Sequence, residues 1–170
     1  MPVKIKFCGI TRAEDAIAAA NLGADAIGFV FHALSPRCIG LAQAVDIARQ
    51  LPPFLCKVGL FVNAPAAEVD AVSRAVGLDV VQYHGDETPA ECARSPRPWI
   101  KAFRVRAEFN IATQCARYGA ASAWLFDSFD QKLYGGSGKV FDWRLLPPVS
   151  YTHLRAHETK ANLVCRLLLE

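Results

Sequence analysis

The sequence predicts an α/β fold built from repeated βα units, and three observations carry that prediction. Six short runs rich in β-branched and aromatic residues alternate with alanine-rich amphipathic stretches over residues 3–127, the rhythm of a parallel sheet covered by helices. The turn after the first strand reads Cys8-Gly9-Ile10-Thr11, so neither the GxGxxG nor the GxxxxGK[ST] phosphate turn of an open nucleotide-binding sheet is there. Polar and reactive residues instead recur at the carboxyl ends of strands, at Cys8, Asn63, His84, Arg104 and Asp127, where barrel enzymes place their chemistry. The expected class is a (β/α)8 barrel of the TIM-barrel type. An open doubly wound sheet is the alternative, and strand order separates the two.

Strands are expected near Val3–Cys8, Ala26–Phe31, Cys56–Val62, Asp79–His84, Trp99–Val105 and Ala123–Asp127, each bounded by Gly, Pro, Asn or Asp. Helices are expected near Ala13–Leu22, Ala42–Leu51, Ala66–Val76, Pro89–Arg94 and Phe109–Tyr118. In the first helix Ala16, Ile17 and Ala20 share one side, Thr11 is the expected N-cap and Gly23 the stop. Pro65 and Pro89 open two later helices, because a proline at the first helical position lacks only an N–H that has no partner there anyway.

Composition bounds the function. A chain of 170 residues with 52% hydrophobic and 21% charged residues is one folded domain rather than two or a disordered segment. The net charge of +3 is spread along the chain, so no basic stripe calls for nucleic acid or a membrane surface. Lysines interrupt the apolar residues of Met1–Cys8, which argues against a signal or transit peptide. The six cysteines, at 8, 38, 56, 92, 115 and 165, form no CxxC pair and no metal-ligand spacing, the usage of a reducing cytoplasm. All but Cys8 read as small buried hydrophobes.

Period two along Lys4-Ile5-Lys6-Phe7-Cys8 puts Lys6 and Cys8 on one side, the barrel interior near its mouth. A neighbouring cation favours the thiolate, the form able to remove a proton. The bland reading of that pair is a packed cysteine beside a solvated lysine. Asp127 closes the apolar run Leu125-Phe126, and burial favours the protonated carboxyl a general acid needs, although such an aspartate also serves as a turn former. Gly135 and Gly136, in Tyr134-Gly135-Gly136-Ser137-Gly138-Lys139, could present backbone N–H groups to an anion or be a plain loop. Arg37, in Ser35-Pro36-Arg37, could pair a carboxylate in bidentate fashion, and His84 could bind substrate or cap a neighbour.

The order and spacing of these segments resemble the phosphoribosylanthranilate isomerase family over about residues 3–146. The resemblance rests on Lys4-Ile5-Lys6-Phe7-Cys8-Gly9-Ile10-Thr11, on Ala24–Phe31 followed by Ser35-Pro36-Arg37, on Val58-Gly59-Leu60-Phe61-Val62-Asn63, on Val81-Gln82-Tyr83-His84-Gly85, and on Phe126-Asp127 with Gly135–Trp143. It implies an Amadori rearrangement of N-(5-phosphoribosyl)anthranilate. Asp127 would protonate the ring oxygen to give a ring-opened Schiff base, and Cys8 would remove the C2 proton. Arg37 would bind the anthranilate carboxylate, while Lys6, His84, Gly135 and Gly136 would belong to the substrate pocket. No metal or organic cofactor is expected. The partner is the phosphorylated sugar–anthranilate substrate, in the cytoplasm, with oligomeric state open. Rival barrel enzymes, indole-glycerol-phosphate synthase and ribulose-phosphate epimerase, use Lys–Glu pairs or a metal with Asp and His instead. A non-catalytic open-sheet binding module is the rival from another class.

The match to the family's pattern stops near Pro148. No glycine occurs between Lys139 and Glu170, so the two glycine-rich phosphate loops of the last βα units have no counterpart. The expectation is an incomplete barrel over 1–148, truncated after about six βα units, followed by a foreign helical or disordered tail over 149–170. Strands 1 and 6 would then be open, aggregation-prone edges. Activity of this chain would be weak or absent.

Overall fold

The computed structural model describes residues 4–105, 109–128, 153–159 and 162–168. Six parallel strands come first: β1 Lys4–Cys8, β2 Ala26–Val30, β3 Cys56–Phe61, β4 Val80–Tyr83, β5 Trp99–Val105 and β6 Ala123–Ser128. Between them run α1 Ala13–Asn21, α2 Leu41–Ala48, α3 Ala66–Val76, α4 Pro89–Cys92 and α5 Ile111–Arg117. Two more strands, β7 His153–Thr159 and β8 Asn162–Leu168, complete a closed barrel in the order β1 to β8. Sequential order rules out the doubly wound alternative, whose strand order reverses at a switch point.

The strands divide two cores by parity. Residues 27, 29, 61, 81, 99, 103 and 126 face the helices and are buried with residues such as Ala16, Ile47, Val69 and Tyr118. Residues of the other parity, Ile100, Ala102, Ala123 and Leu125 with Val80, pack as a separate cluster inside the barrel. Phe29 and Phe61 are wholly buried in the outer layer, where truncating either to alanine would cost about 3–5 kcal/mol.

Local sequence explains the helix ends. Gly77, at φ +70°, closes α3, and the Leu78 N–H returns to Ser73 O at 3.0 Å, a left-handed cap that glycine adopts without strain. Thr88 and Glu91 form a reciprocal capping box at α4, with Pro89 in the first turn. Other expectations need correction. The N-cap of α1 is Arg12, not Thr11, and no side chain caps it. Ile17 is 38% exposed, because the buried stripe of α1 runs through Ala16 and Ala19. Pro65 is the N-cap of α3 and not its first helical residue.

The tail differs more. Residues 153–159 and 162–168 are strands, not the expected helix. β7 runs parallel to β6, with Leu125 opposite Leu154, while β8 runs antiparallel to both β7 and β1, with Lys6 opposite Cys165. β1 and β6 are therefore paired, not open edges. The reason is visible in the sequence: His153-Leu154-Arg155-Ala156-His157 alternates polar and apolar residues, the period of a strand, and the two strand edges offer unpaired N–H and C=O groups to whatever can match them. A family barrel would bring its last strand parallel to β1 after a helix. The boundary expected at residue 148 lies outside the described residues.

Candidate active site

The carboxyl ends of the parallel strands share one rim, and several of the sequence-selected residues stand there. Cys8 is the last residue of β1 and is half-buried. Its register partner is Gly28 on β2, where a Cβ would lie 2.9 Å from the Cys8 sulfur. The thiol therefore lies over the one residue type that leaves room for it. The chain leaves the barrel at Gly9, at φ +83°, with the Gly9 and Ile10 N–H groups both donating to Gly28 O.

Arg37 comes to the same strand end. Its Nη1 donates to Cys8 O at 2.9 Å. A Cβ on Gly9 would stand 2.6 Å from Arg37 Cδ, so the arginine stem lies flat across that glycine. Ser35 accepts from the Arg37 N–H at 3.2 Å, and Val30 bridges Cys38, which folds the Ser35-Pro36-Arg37 turn back onto β2.

A column of buried polar groups crosses the barrel, from Lys6 below this rim to Asp127 at the carboxyl end of β6. Lys6 is fully buried, and its Nζ donates to Gln82 Oε1 on β4. Gln82 Nε2 lies 3.3 Å from His84 Nδ1. His84 Nε2 lies 3.5 Å from Asp127 Oδ2, with both side chains sealed from solvent. Asp127 is the register partner of Arg104 on β5. Burial of four polar side chains among apolar ones is costly unless they partner each other. Lys6, Gln82 and His84 Nδ1 supply one another, while His84 Nε2 faces Asp127 without a hydrogen bond among the described residues.

A second buried network holds the loop that follows His84. The Glu87 carboxylate accepts from the N–H groups of Asn63 at 2.8 Å and Gly85 at 3.0 Å and from Lys101 Nζ at 2.7 Å. Lys101 also donates to Gly85 O, and the Tyr118 hydroxyl donates to Glu87 O at 2.8 Å. Asn63, at φ 52°, accepts from the Asp86 N–H. Gly85 is required there, since a Cβ would stand 2.4 Å from Asn63 Oδ1. Asn63 and Arg104, polar residues at strand ends, thus brace loops: Arg104 Nη2 donates to Asp86 Oδ1 at 3.2 Å.

The structure brings Cys8 and Arg37 together over β1 and β2, and joins Lys6, His84 and Asp127 through Gln82. Gly135 and Gly136 lie outside the described residues. Sequence reasoning passed over Gln82, although it sits two residues before His84 on a strand and so shares its parity. Glu87 and Lys101 were missed as well. Clefts of about 370 Å³, beside Asn63, Tyr83 and Arg94, and about 340 Å³, beside Lys101, Arg104 and Arg117, flank β4 and β5 on their outer side. Cys8 and Asp127 line neither. Among the described residues, no helix is long and apolar enough to cross a membrane.

Comparison with known proteins assigns the family. The family described as N-(5'-phosphoribosyl)anthranilate (PRA) isomerase matches residues 5–159. A relative from Thiobacillus denitrificans, N-(5'-phosphoribosyl)anthranilate isomerase, is 53% identical over 148 residues, which is 87% of this chain and 72% of the relative. One from Pseudomonas fluorescens is 54% identical over 145 residues, 85% of this chain and 71% of the relative. Among solved structures, phosphoribosyl anthranilate isomerase from Thermotoga maritima superimposes with a TM-score of 0.75 at 39% identity, covering 82% of this chain and 68% of that one. A phosphoribosyl anthranilate isomerase in complex with reduced 1-(o-carboxyphenylamino)-1-deoxyribulose 5-phosphate superimposes with a TM-score of 0.69 at 38% identity, covering 74% of this chain and 64% of that one. The parallel strands, the Arg37 turn across Gly9 and these matches lead to one assignment: the chain belongs to the N-(5'-phosphoribosyl)anthranilate isomerase family.

Proposed function

We propose that the rim catalyses the Amadori rearrangement of N-(5'-phosphoribosyl)anthranilate to 1-(2-carboxyphenylamino)-1-deoxyribulose 5-phosphate. The observation that carries this reading is the common parity and common rim of Cys8, at the end of β1, and Asp127, at the end of β6, on either side of the barrel mouth. Asp127 donates a proton to the furanose ring oxygen as the C1–O bond opens, and the electron pair on the anilinic nitrogen forms the Schiff base. Cys8 then removes the proton from C2, and the electrons move toward nitrogen to give the enolamine, which tautomerises to the ketone. Atoms balance without an external oxidant or reductant. Arg37, held over Cys8 by its bond to Cys8 O, offers its remaining guanidinium N–H groups to the anthranilate carboxylate.

Residues 139–170 contain no glycine, so the reading includes a weak hold on the substrate phosphate and slow turnover by this chain. Substrate loss and product formation, separated by chromatography, give the assay. Slow turnover abolished by Cys8→Ala and by Asp127→Asn supports the proposal. Ordinary catalytic efficiency, or turnover indifferent to both substitutions, would defeat it.

A further inference from the structure

The buried column beneath the rim fixes which nitrogen of His84 carries the proton. We infer that Lys6 and Gln82 are positioning residues that lock His84 in the Nε2–H tautomer and so present a hydrogen-bond donor to Asp127. This deepens the proposed function and rests on it for the role of Asp127, although the tautomer itself does not.

The inference follows from donor and acceptor inventory. The Lys6 ammonium has only donors, and it meets Gln82 at Oε1. With the amide oxygen committed to Lys6, the amide NH2 must be the end that faces His84, and it lies 3.3 Å from Nδ1. A neutral imidazole nitrogen that faces a donor has to be the acceptor. The ring proton then sits on Nε2. That nitrogen is buried, makes no hydrogen bond among the described residues, and lies 3.5 Å from Asp127 Oδ2. A movement of a few tenths of an ångström closes the gap to a hydrogen bond.

The consequence bears on the acid step. With the gap closed, Oδ2 of Asp127 accepts from Nε2–H, which anchors the carboxyl to the column while it gives its proton to substrate. Once that proton has left, the Nε2–H remains to stabilise the carboxylate. Catalytic hydrogen bonds are commonly long before substrate binds and shorten at the transition state, as the 3.5 Å separation allows. Lys6 is thus a charge three contacts away from the reacting carboxyl. Its full burial suits a fixed end of the column rather than a group that meets substrate.

The test uses the full chain labelled with ¹⁵N in histidine. A long-range ¹H–¹⁵N spectrum distinguishes protonated from unprotonated ring nitrogens, and the His84 signals are assigned by their loss in His84→Asn. In the wild-type chain Nε2 is expected to carry the proton and Nδ1 to be bare. Gln82→Glu keeps the shape but replaces the NH2 donor with a carboxylate oxygen, so a proton is expected to appear on Nδ1. Lys6→Met, which frees the amide to turn over, is expected to give a mixture of tautomers. A wild-type ring protonated on Nδ1, or a ring spectrum unchanged by Gln82→Glu, would overturn the inference. In the isomerase assay Gln82→Glu is expected to lower kcat about 10²-fold with KM within about twofold, the mark of lost positioning. Unchanged kcat with a relocated proton would overturn the link to Asp127. Absence of any wild-type turnover would count against the isomerase reading instead, and the spectrum would still report the tautomer.

Discussion

Replacing Glu87 by alanine is expected to destabilise the chain by about 4 kcal/mol, because it opens a sealed ion pair from one side. Both Glu87 and Lys101 have side chains only 3% exposed. The carboxylate accepts at once from Lys101, from the Asn63 N–H and from the Gly85 N–H. Without it the ammonium keeps, among the described residues, Gly85 O and the Tyr118 ring face at 5.5 Å, and two backbone N–H groups lose their acceptor. Breaking a buried pair costs about 3–5 kcal/mol, and an orphaned backbone donor about 1–3 kcal/mol unless water reaches it. Water entering the emptied volume relieves part of this, which sets the estimate near the middle of the first range. For a chain of this size that loss lowers Tm by roughly 8–16 °C. Equilibrium urea unfolding followed by the fluorescence of the largely buried Trp99 measures it. Coupling is expected too: Glu87→Leu with Lys101→Met should cost less than the sum of the single changes, since the double variant leaves no buried charge unpaired. A loss under about 1 kcal/mol for Glu87→Ala, the size of an exposed ion pair, would refute the reasoning, as would strict additivity.

Three further outcomes follow from the same geometry. Gly28→Ala sets a methyl group 2.9 Å from the Cys8 sulfur and 3.3 Å from Cys8 Cα, so it should cost about 1–3 kcal/mol by overpacking and cut isomerase turnover; unchanged turnover would remove Cys8 from its assigned place. Burial pushes the Asp25 carboxyl up, but the Lys4 ammonium at 2.6 Å and the Ile5 N–H at 2.8 Å hold it below its usual range. Its stabilising contribution is therefore complete above about pH 4 and fades as pH falls through the lowered folded value. The partial exposure of Lys4 keeps that contribution small. Asp25→Asn should flatten the acid limb of urea midpoints, and an identical limb would contradict the sign. Finally, burial pushes the thiols of Cys92 and Cys115 up to about 12 and about 11, while Cys38 is exposed. Iodoacetamide at neutral pH should label Cys38 in the native chain, and Cys92 and Cys115 only as it unfolds; mass spectrometry showing equal rates would count against the packing described.

The parts of the fold and site legible in the sequence are those governed by local period and capping. Period two in Lys4–Cys8 already set Lys6 and Cys8 on one side, and Pro89 behind Thr88 announced α4. The βα rhythm gave six strands within a residue or two of where they stand. Contacts between distant segments were not legible. Arg37 lies across Gly9 because the loop after β2 returns 29 residues to Cys8 O, and nothing in Ser35-Pro36-Arg37 announces that reach. Lys101 sits in the run Trp99–Val105, and its partner Glu87 comes from a loop 14 residues away. Gln82 reads as a polar strand residue, since its partners Lys6 and His84 come from two strands. The tail's strands were half legible: the alternation at 153–157 has the period of a strand, but its pairing with β6, and that of residues 162–168 with β1, joins segments far apart in sequence.

The most direct measurement is the rearrangement rate with enzyme in excess over N-(5'-phosphoribosyl)anthranilate, where high protein concentration compensates a weak grip on phosphate. Wild-type chain should exceed the uncatalysed background, and Cys8→Ala and Asp127→Asn should each lower its rate by about 10²-fold or more. Equal rates for the wild-type chain and either variant, or none above background, would contradict a shared pocket for the thiol of β1 and the carboxyl of β6.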